Sequence, residues 1–192
     1  MTFFSDDREH RNEAIDRLVA LSQKGDTEAF AQLYDIFVLP LYRYIYYRVD
    51  ESDVEDLTET VFLKAWEHLT QYRKTHVSFA AWLFKIARNL VIDHYRVRNM
   101  SDPLDYETPD ERRHMNPIFL TENNLHNATL KTALGRLKES YQQVILLKFM
   151  NDLSNAEISE IMGRTEGNVR VLQFRAIQAL KEILEKMGMN FS

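Results

Sequence analysis

The chain has 192 residues, 45% hydrophobic and 28% charged, with 5 Gly, 4 Pro and no Cys. That composition permits one large or two small globular domains and excludes a disulfide framework, a thiolate metal site and a cysteine nucleophile. The net charge of −5 argues against an autonomous high-affinity DNA binder, because phosphate neutralisation dominates such affinity.

Few glycines and prolines and scarce strand-like alternation favour an all-α fold. The N-terminal run MTFFSDDREHRNEAIDRL is polar and acidic where a signal peptide needs an apolar core. No apolar run approaches the ~20 residues that span a bilayer, so a cytoplasmic protein without membrane insertion is expected. Residues 6–24 read as a first helix, with Ala14, Ile15, Leu18 and Leu21 at helical spacing, and Gly25 stops it. Asp26 or Thr27 caps a second helix, whose apolar side includes Phe30, Leu33, Tyr34, Phe37 and Leu41. Pro40 is expected to kink or divide that helix. The run LYRYIYYRV follows, and its tyrosines read as core and interface in preference to a ligand site.

Ser52 with Glu55 three residues on reads as a capping box. It opens the helix DVEDLTETVFLKAWEHL, with Val54, Leu57, Val61, Phe62, Ala65, Trp66 and Leu69 on its apolar side. Asp53, Glu55, Asp56 and Glu59 crowd its first turns. They suit the helix macrodipole, a Mg²⁺ ion or a basic docking partner, and spacing alone does not choose. TQYRKTHV is a polar loop carrying Tyr72, Arg73, Lys74 and His76. Ser78 then caps FAAWLFKIARNLVIDHYRVR, with Phe79, Trp82, Leu83, Ile86, Ala87 and Leu90 on one side. The other side bears Lys85, Arg88, Asn89, His94, Tyr95, Arg96 and Arg98. Cations interleaved with rings suit unpaired nucleic acid, where bases stack at ~1–3 kcal/mol each. The plainer reading is an amphipathic helix with snorkelling Arg and Lys.

Residues 99–127 change character. Three of the four prolines, Pro103, Pro109 and Pro117, fall there, the stretch is acidic, and helical periodicity is absent. That is a linker between domains. Beyond it, Leu130, Ala133, Leu134 and Leu137 mark one helix. Ser140 with Gln143 caps the next, whose apolar residues include Tyr141, Val144, Ile145, Leu147 and Phe149. Residues 154–180 read SNAEISEIMGRTEGNVRVLQFRAIQAL. Ser154 and Glu157 form a further capping box, and Gly163 suits a left-handed stop. Thr165 caps a second helix with Val169, Leu172, Ile177 and Leu180 inward. Two short helices across a tight Gly turn are the helix-turn-helix pattern. Asn168, Arg170, Gln173 and Arg175 are residue types that bond base edges and phosphates; an ordinary αα-hairpin with a solvated face is the alternative. Residues 128–192 carry 9 basic and 7 acidic side chains, so this end is the basic one.

Three stretches, two before the linker and one after it, resemble one family. DVEDLTETVFLKAW resembles the core-binding signature of the sigma-70 family, in its compact extracytoplasmic-function (ECF) branch. FAAWLFKIARNLVIDHYR resembles that branch's promoter-melting helix, and LGRLKESYQQVILLKFMNDLSNAEISEIMGRTEGNVRVLQFRAIQALKEIL its C-terminal helix-turn-helix domain. The resemblance implies an all-α protein of two small helical domains, 1–98 and 128–192, joined by a flexible acidic linker over 99–127, the second containing the helix-turn-helix. It implies a promoter-specificity subunit rather than an enzyme, needing no cofactor and no metal. Its implied partners are core RNA polymerase through the β′ and β subunits, promoter DNA in duplex and single-stranded form, and an anti-sigma factor.

Carried over residue by residue, Asp53, Glu55, Asp56, Leu57, Phe62 and Trp66 would dock on polymerase. Tyr72, Arg73, Lys74, Phe79, Trp82, Arg88, Asn89, His94 and Arg96 would meet the −10 element, the 72–79 loop holding a flipped base. Arg164, Thr165, Asn168, Arg170, Val171, Phe174 and Arg175 would meet the −35 element. Glu59-Thr60 stands where the family often has Gln-Glu. Val171 and Leu172 stand where Ser or Thr and Arg are common, so the −35 sequence does not carry over. Two other readings compete: a stand-alone helix-turn-helix regulator with an α-helical sensing domain, and an α-helical metal enzyme using the 53–59 carboxylates.

Overall fold

The structure, a computed structural model, describes residues 3–74, 77–101 and 124–189. Its elements are all helical, as composition and periodicity predict. The first domain is α1 (Phe3–Ser22), α2 (Thr27–Tyr46), α3 (Val54–His68) and α4 (Phe79–Ser101). Gly25 turns the chain between α1 and α2 at φ 95°, and Asp26 caps α2 by accepting the Ala29 N–H at 3.0 Å. Pro40 does not divide α2. A proline inside a helix costs about 3 kcal/mol, but Leu41, Tyr44 and Ile45 just beyond it are all fully buried. Burial of those three side chains outweighs the lost backbone bond. The tyrosine run is core as expected: Tyr44 meets Phe84 edge-on at 5.4 Å.

The Ser52–Glu55 capping box does not form. A 3₁₀ turn, Glu51–Asp53, precedes α3, and the N-cap is Asp53 with no side-chain bond. The turn moves the helix start past Ser52, whose hydroxyl reaches Asp53 Oδ1 at 3.4 Å instead.

The second domain is α5 (Asn124–Gly135), α6 (Glu139–Ile145), a π-helical continuation Leu146–Met150, α7 (Asn155–Met162) and α8 (Glu166–Lys186). Here too one expected cap is absent. Lys138 is the N-cap of α6, which leaves Ser140 inside its first turn. The buried Gln143 amide turns away to the Tyr44 hydroxyl at 3.5 Å. The π turn inserts an extra residue into the helical repeat and swings Phe149 out to solvent, against its expected place on the apolar side. Asn151 closes that turn by donating to the Leu146 carbonyl at 2.9 Å.

The two domains touch. α4 packs on α7, and α2 on the π-helical segment. Gln142 Nε2 donates to the Tyr47 carbonyl at 2.7 Å, and Lys131 Nζ stands 3.8 Å over the Tyr46 ring. Burial lowers the Lys131 pKa from its ordinary value. The Arg48 guanidinium, 5% exposed, holds the Tyr44 hydroxyl at 2.8 Å on one side and Glu139 at 3.0 Å on the other. Most of the expected 99–127 linker lies outside the described residues; α4 enters it to Ser101 and α5 leaves it from Asn124.

Candidate nucleic-acid and partner interface

Three exposed surfaces gather the residues singled out by sequence. The first is the outer face of α3. Glu55, Asp56 and Glu59 are open to solvent along its first turns, where they also complement the helix N-terminus. Leu57 is half-buried. Phe62 belongs to the core: it is 6% exposed and its ring lies 4.5 Å from Tyr34. Trp66 is 40% exposed, its edge held at 4.8 Å by Phe30. Leu63, absent from the apolar stripe by period, is open at 59%. It shares the face of Glu59 and Trp66, since four and three residues separate them. The result is an acidic face with an apolar end, and Leu63 is a residue that motif reading missed.

The second surface begins at the 3₁₀ turn Leu69–Gln71 and follows α4. The loop there is built inward. Tyr72 and Phe79 are 6% and 2% exposed and pack at 5.5 Å, with Trp82 at 5.2 and 5.4 Å from them. In this conformation neither Tyr72 nor Phe79 offers an open ring to a base, because each closes the core beneath the loop. Burial, then the charge of Asp16, raises the Tyr72 hydroxyl from 10.0 to about 12; that hydroxyl donates to the Val77 carbonyl at 3.3 Å. Helix α1 holds the loop from behind. Gln23 Nε2 donates to the Leu69 and Tyr72 carbonyls, both at 2.8 Å, and Asp16 pairs with Lys74. No local motif marks Gln23, because its partners lie 46 and 49 residues away. Arg73 and Lys74 face solvent.

Along α4, Asn89 and Arg96 are exposed and Arg88 is half-buried, reaching Asn89 Oδ1 at 3.5 Å. His94 leans to Asp53 at 3.4 Å, which joins this surface to the acidic one. Trp82 is partly covered by the same core. His76 lies outside the described residues.

The third surface is the helix-turn-helix, formed as its residues predict. Ser154 Oγ accepts the Glu157 N–H at 3.2 Å while Glu157 Oε2 accepts the Ser154 N–H at 2.7 Å. Gly163 ends α7 in the left-handed conformation, φ 63°. Thr165 Oγ1 accepts the Asn168 N–H at 3.3 Å and starts α8. Val169 and Ala176 are buried beneath α8, and Leu172 and Leu180 pack against the same core. Ile177, expected inward, is exposed, because the smaller Ala176 occupies the contact. Gln173 is not a free reading group: its amide donates to Asn155 Oδ1 at 2.8 Å and braces α8 against α7. Arg164, Thr165, Asn168, Arg170, Val171, Phe174 and Arg175 all face solvent, Arg170 in a 3.3 Å pair with Glu166.

The second and third surfaces meet. Ser78 Oγ accepts the Ala81 N–H at 3.2 Å, capping α4, and donates to Glu157 Oε1 of the α7 capping box. Among the described residues, no three His, Asp or Glu side chains converge to hold a cation, and no helix is long and apolar enough to cross a membrane. The three exposed surfaces differ in chemistry: acidic and apolar on α3, cationic along the loop and α4, mixed on α8.

Sigma-70 region 2 matches residues 33–100, and sigma-70 region 4 matches residues 128–180. The chain is 37% identical over 189 residues to the ECF RNA polymerase sigma factor BldN of Streptomyces coelicolor, covering 91% of this chain and 70% of BldN. It is 34% identical over 156 residues to RNA polymerase sigma factor SigZ of Bacillus subtilis, covering 80% of this chain and 85% of SigZ. Among solved structures, CnrH in complex with the cytosolic domain of CnrY superposes with a TM-score of 0.71 at 26% identity, over 90% of this chain and 98% of the solved one.

Proposed function

The chain belongs to the ECF branch of the sigma-70 family of RNA polymerase sigma factors, and from that premise we propose how its surfaces divide the work of initiation. It is a promoter-specificity subunit and not an enzyme: it joins core RNA polymerase and promoter DNA and directs transcription initiation. The observation that carries this is the serial match of region 2 and region 4 in one chain, in that order.

In our reading the outer face of α3 is the polymerase contact. Asp53, Glu55 and Asp56 supply charge that steers and orients a basic partner, and Leu57, Leu63 and Trp66 supply apolar area. Phe62 supports this face from the core. Arg73 and Lys74 hold the backbone of the −10 strand, with Arg88, Asn89, His94 and Arg96 on the DNA just upstream. Buried Tyr72 and Phe79, with partly buried Trp82, set the shape of the loop. Arg164, Thr165, Asn168, Arg170, Phe174 and Arg175 meet the −35 element, α8 lying in the major groove. Net charge −5 suits this scheme, because polymerase contributes the rest of the affinity. CnrH is solved in complex with the cytosolic domain of CnrY, and an anti-sigma factor that covered the polymerase-docking and DNA faces of this chain would hold it inactive.

Run-off transcription with core polymerase on a random promoter library tests the reading and returns both promoter elements. Failure to yield any polymerase-dependent transcript would overturn it. Asp56 is exposed, so Asp56→Arg leaves folding intact while reversing the charge offered to polymerase. It should weaken polymerase binding about tenfold in a competition assay, while the thermal midpoint falls only by what the lost charge–dipole interaction at the start of α3 is worth, ~0.3–1 kcal/mol.

A further inference from the structure

The solvent side of α8 carries more apolar surface than its packing uses. The inner side is complete with Val169, Leu172, Ala176, Leu180 and Ile183. Ile177 stands away from it, 44% exposed, and nearer the start of the helix Val171 and Phe174 do so at 48% and 67%. Those two lie three residues apart, so their side chains are neighbours about 5–6 Å from each other. Exposed Asn168, Arg170 and Arg175 frame them. Single exposed apolar residues are ordinary on a surface. An adjacent pair within a cationic frame, on the first half of a helix-turn-helix reading helix, is not.

The chemistry of the duplex names the occupant. In the major groove the base edges offer hydrogen-bond donors and acceptors, which suit Arg and Asn. The one apolar feature they offer is the C5-methyl group of thymine. A pair of apolar side chains ~5–6 Å apart spans methyl groups on neighbouring base pairs. A protein partner is less well suited, because the frame is charged and the helix end of the chain is net basic. Resting on the reading of α8 as the promoter-reading helix, we infer that Val171 and Phe174 are specificity determinants that each read a thymine methyl in the −35 element, between bases and phosphates held by Asn168, Arg170 and Arg175.

The inference has a direct chemical test, because replacing thymine by uracil deletes one methyl and leaves every hydrogen-bonding edge in place. Full-length protein with core polymerase would be bound to a promoter from the library selection, with each −35 thymine replaced in turn. Uracil should weaken binding about fourfold at each of two neighbouring positions, the scale of one buried methyl-sized group. Val171→Ser should abolish the penalty at one position and keep it at the other; Phe174→Ala should do the converse. Arg175→Ala should weaken binding to thymine and uracil DNA alike. If uracil is tolerated everywhere while Arg175→Ala still weakens binding, the stripe serves something other than DNA and the inference fails alone. If library selection returns no thymine at these positions, it fails likewise. If Arg175→Ala and the stripe variants all leave promoter binding unchanged, the reading of α8 fails and takes the inference with it.

Discussion

Tyr72 shows how far a single residue departs from its local sequence. In TQYRKTHV it has polar neighbours and reads as exposed, yet it is buried, with its backbone carbonyl held by Gln23 and its ring between Phe79 and Trp82. The partners that turn it inward lie on another helix, so no window of sequence contains the reason. The burial has a pH signature. A hydroxyl raised to about 12 from 10.0 is neutral in the folded chain while it ionises in the unfolded one. Its contribution is complete below pH 10 and disappears as pH rises from 10 to about 12. Tyr72→Phe should therefore flatten part of the fall in stability across that window, followed by denaturant unfolding at stepped pH, and change little at pH 7. A fall of equal steepness in the variant would mean that Tyr72 is not buried in solution. At this scale the exposed charged residues of α3 and α8 were readable from sequence, because a helical period assigns them to the outer face, and the same period put Phe62 and Phe79 on the apolar sides where they are buried; Tyr72 was not readable, because it lies in a loop with no period and a family motif does not separate a residue that touches a partner from one that supports it.

Among elements, the capping boxes teach the same lesson. Three Ser-x-x-Glu or Ser-x-x-Gln signals stand in the sequence, at Ser52, Ser140 and Ser154, and only the last forms. Ser154 has the extended backbone that an N-cap needs, φ −69° and ψ 159°. Ser52 lies in a 3₁₀ turn and Ser140 within a helix already begun at Glu139. The side-chain spacing is a necessary condition, and the conformation of the preceding residues decides. The stop at Gly163 was legible because only its backbone matters there. A Cβ at this position would meet nothing within 4 Å, so Gly163→Ala should cost only the left-handed conformational penalty. That is about 1 kcal/mol, seen as a lower denaturant midpoint for the helix-turn-helix domain. A loss several times larger would show that the turn is packed more tightly than described.

For the whole molecule, the contact between domains sets a condition on promoter binding. The −10 and −35 elements are ~25 base pairs apart, ~85 Å along the duplex at ~3.4 Å per base pair. In the structure the start of α4 and the start of α7 share a hydrogen bond, Ser78 to Glu157. On the proposed division of surfaces, a chain so closed is expected to open on the polymerase, so that α4 and α8 reach their separate elements. Ser78→Ala with Glu139→Ala removes that bond and the carboxylate facing the buried Arg48 guanidinium. The chain has no Cys, so one introduced pair, a cysteine in each domain, labels it uniquely for energy transfer. Transfer should drop in the double variant, and in the parent chain on adding core polymerase; equal transfer in all three would show that the closed arrangement does not govern the protein in solution. Glu157 also settles what opening demands of the DNA reader. One of its oxygens, Oε2, belongs to the cap of α7, and the other, Oε1, to the bond with Ser78. Separation returns Oε1 to water and leaves the cap whole. The reading head thus reaches DNA preorganised, and the entropy of building it is not subtracted from promoter affinity.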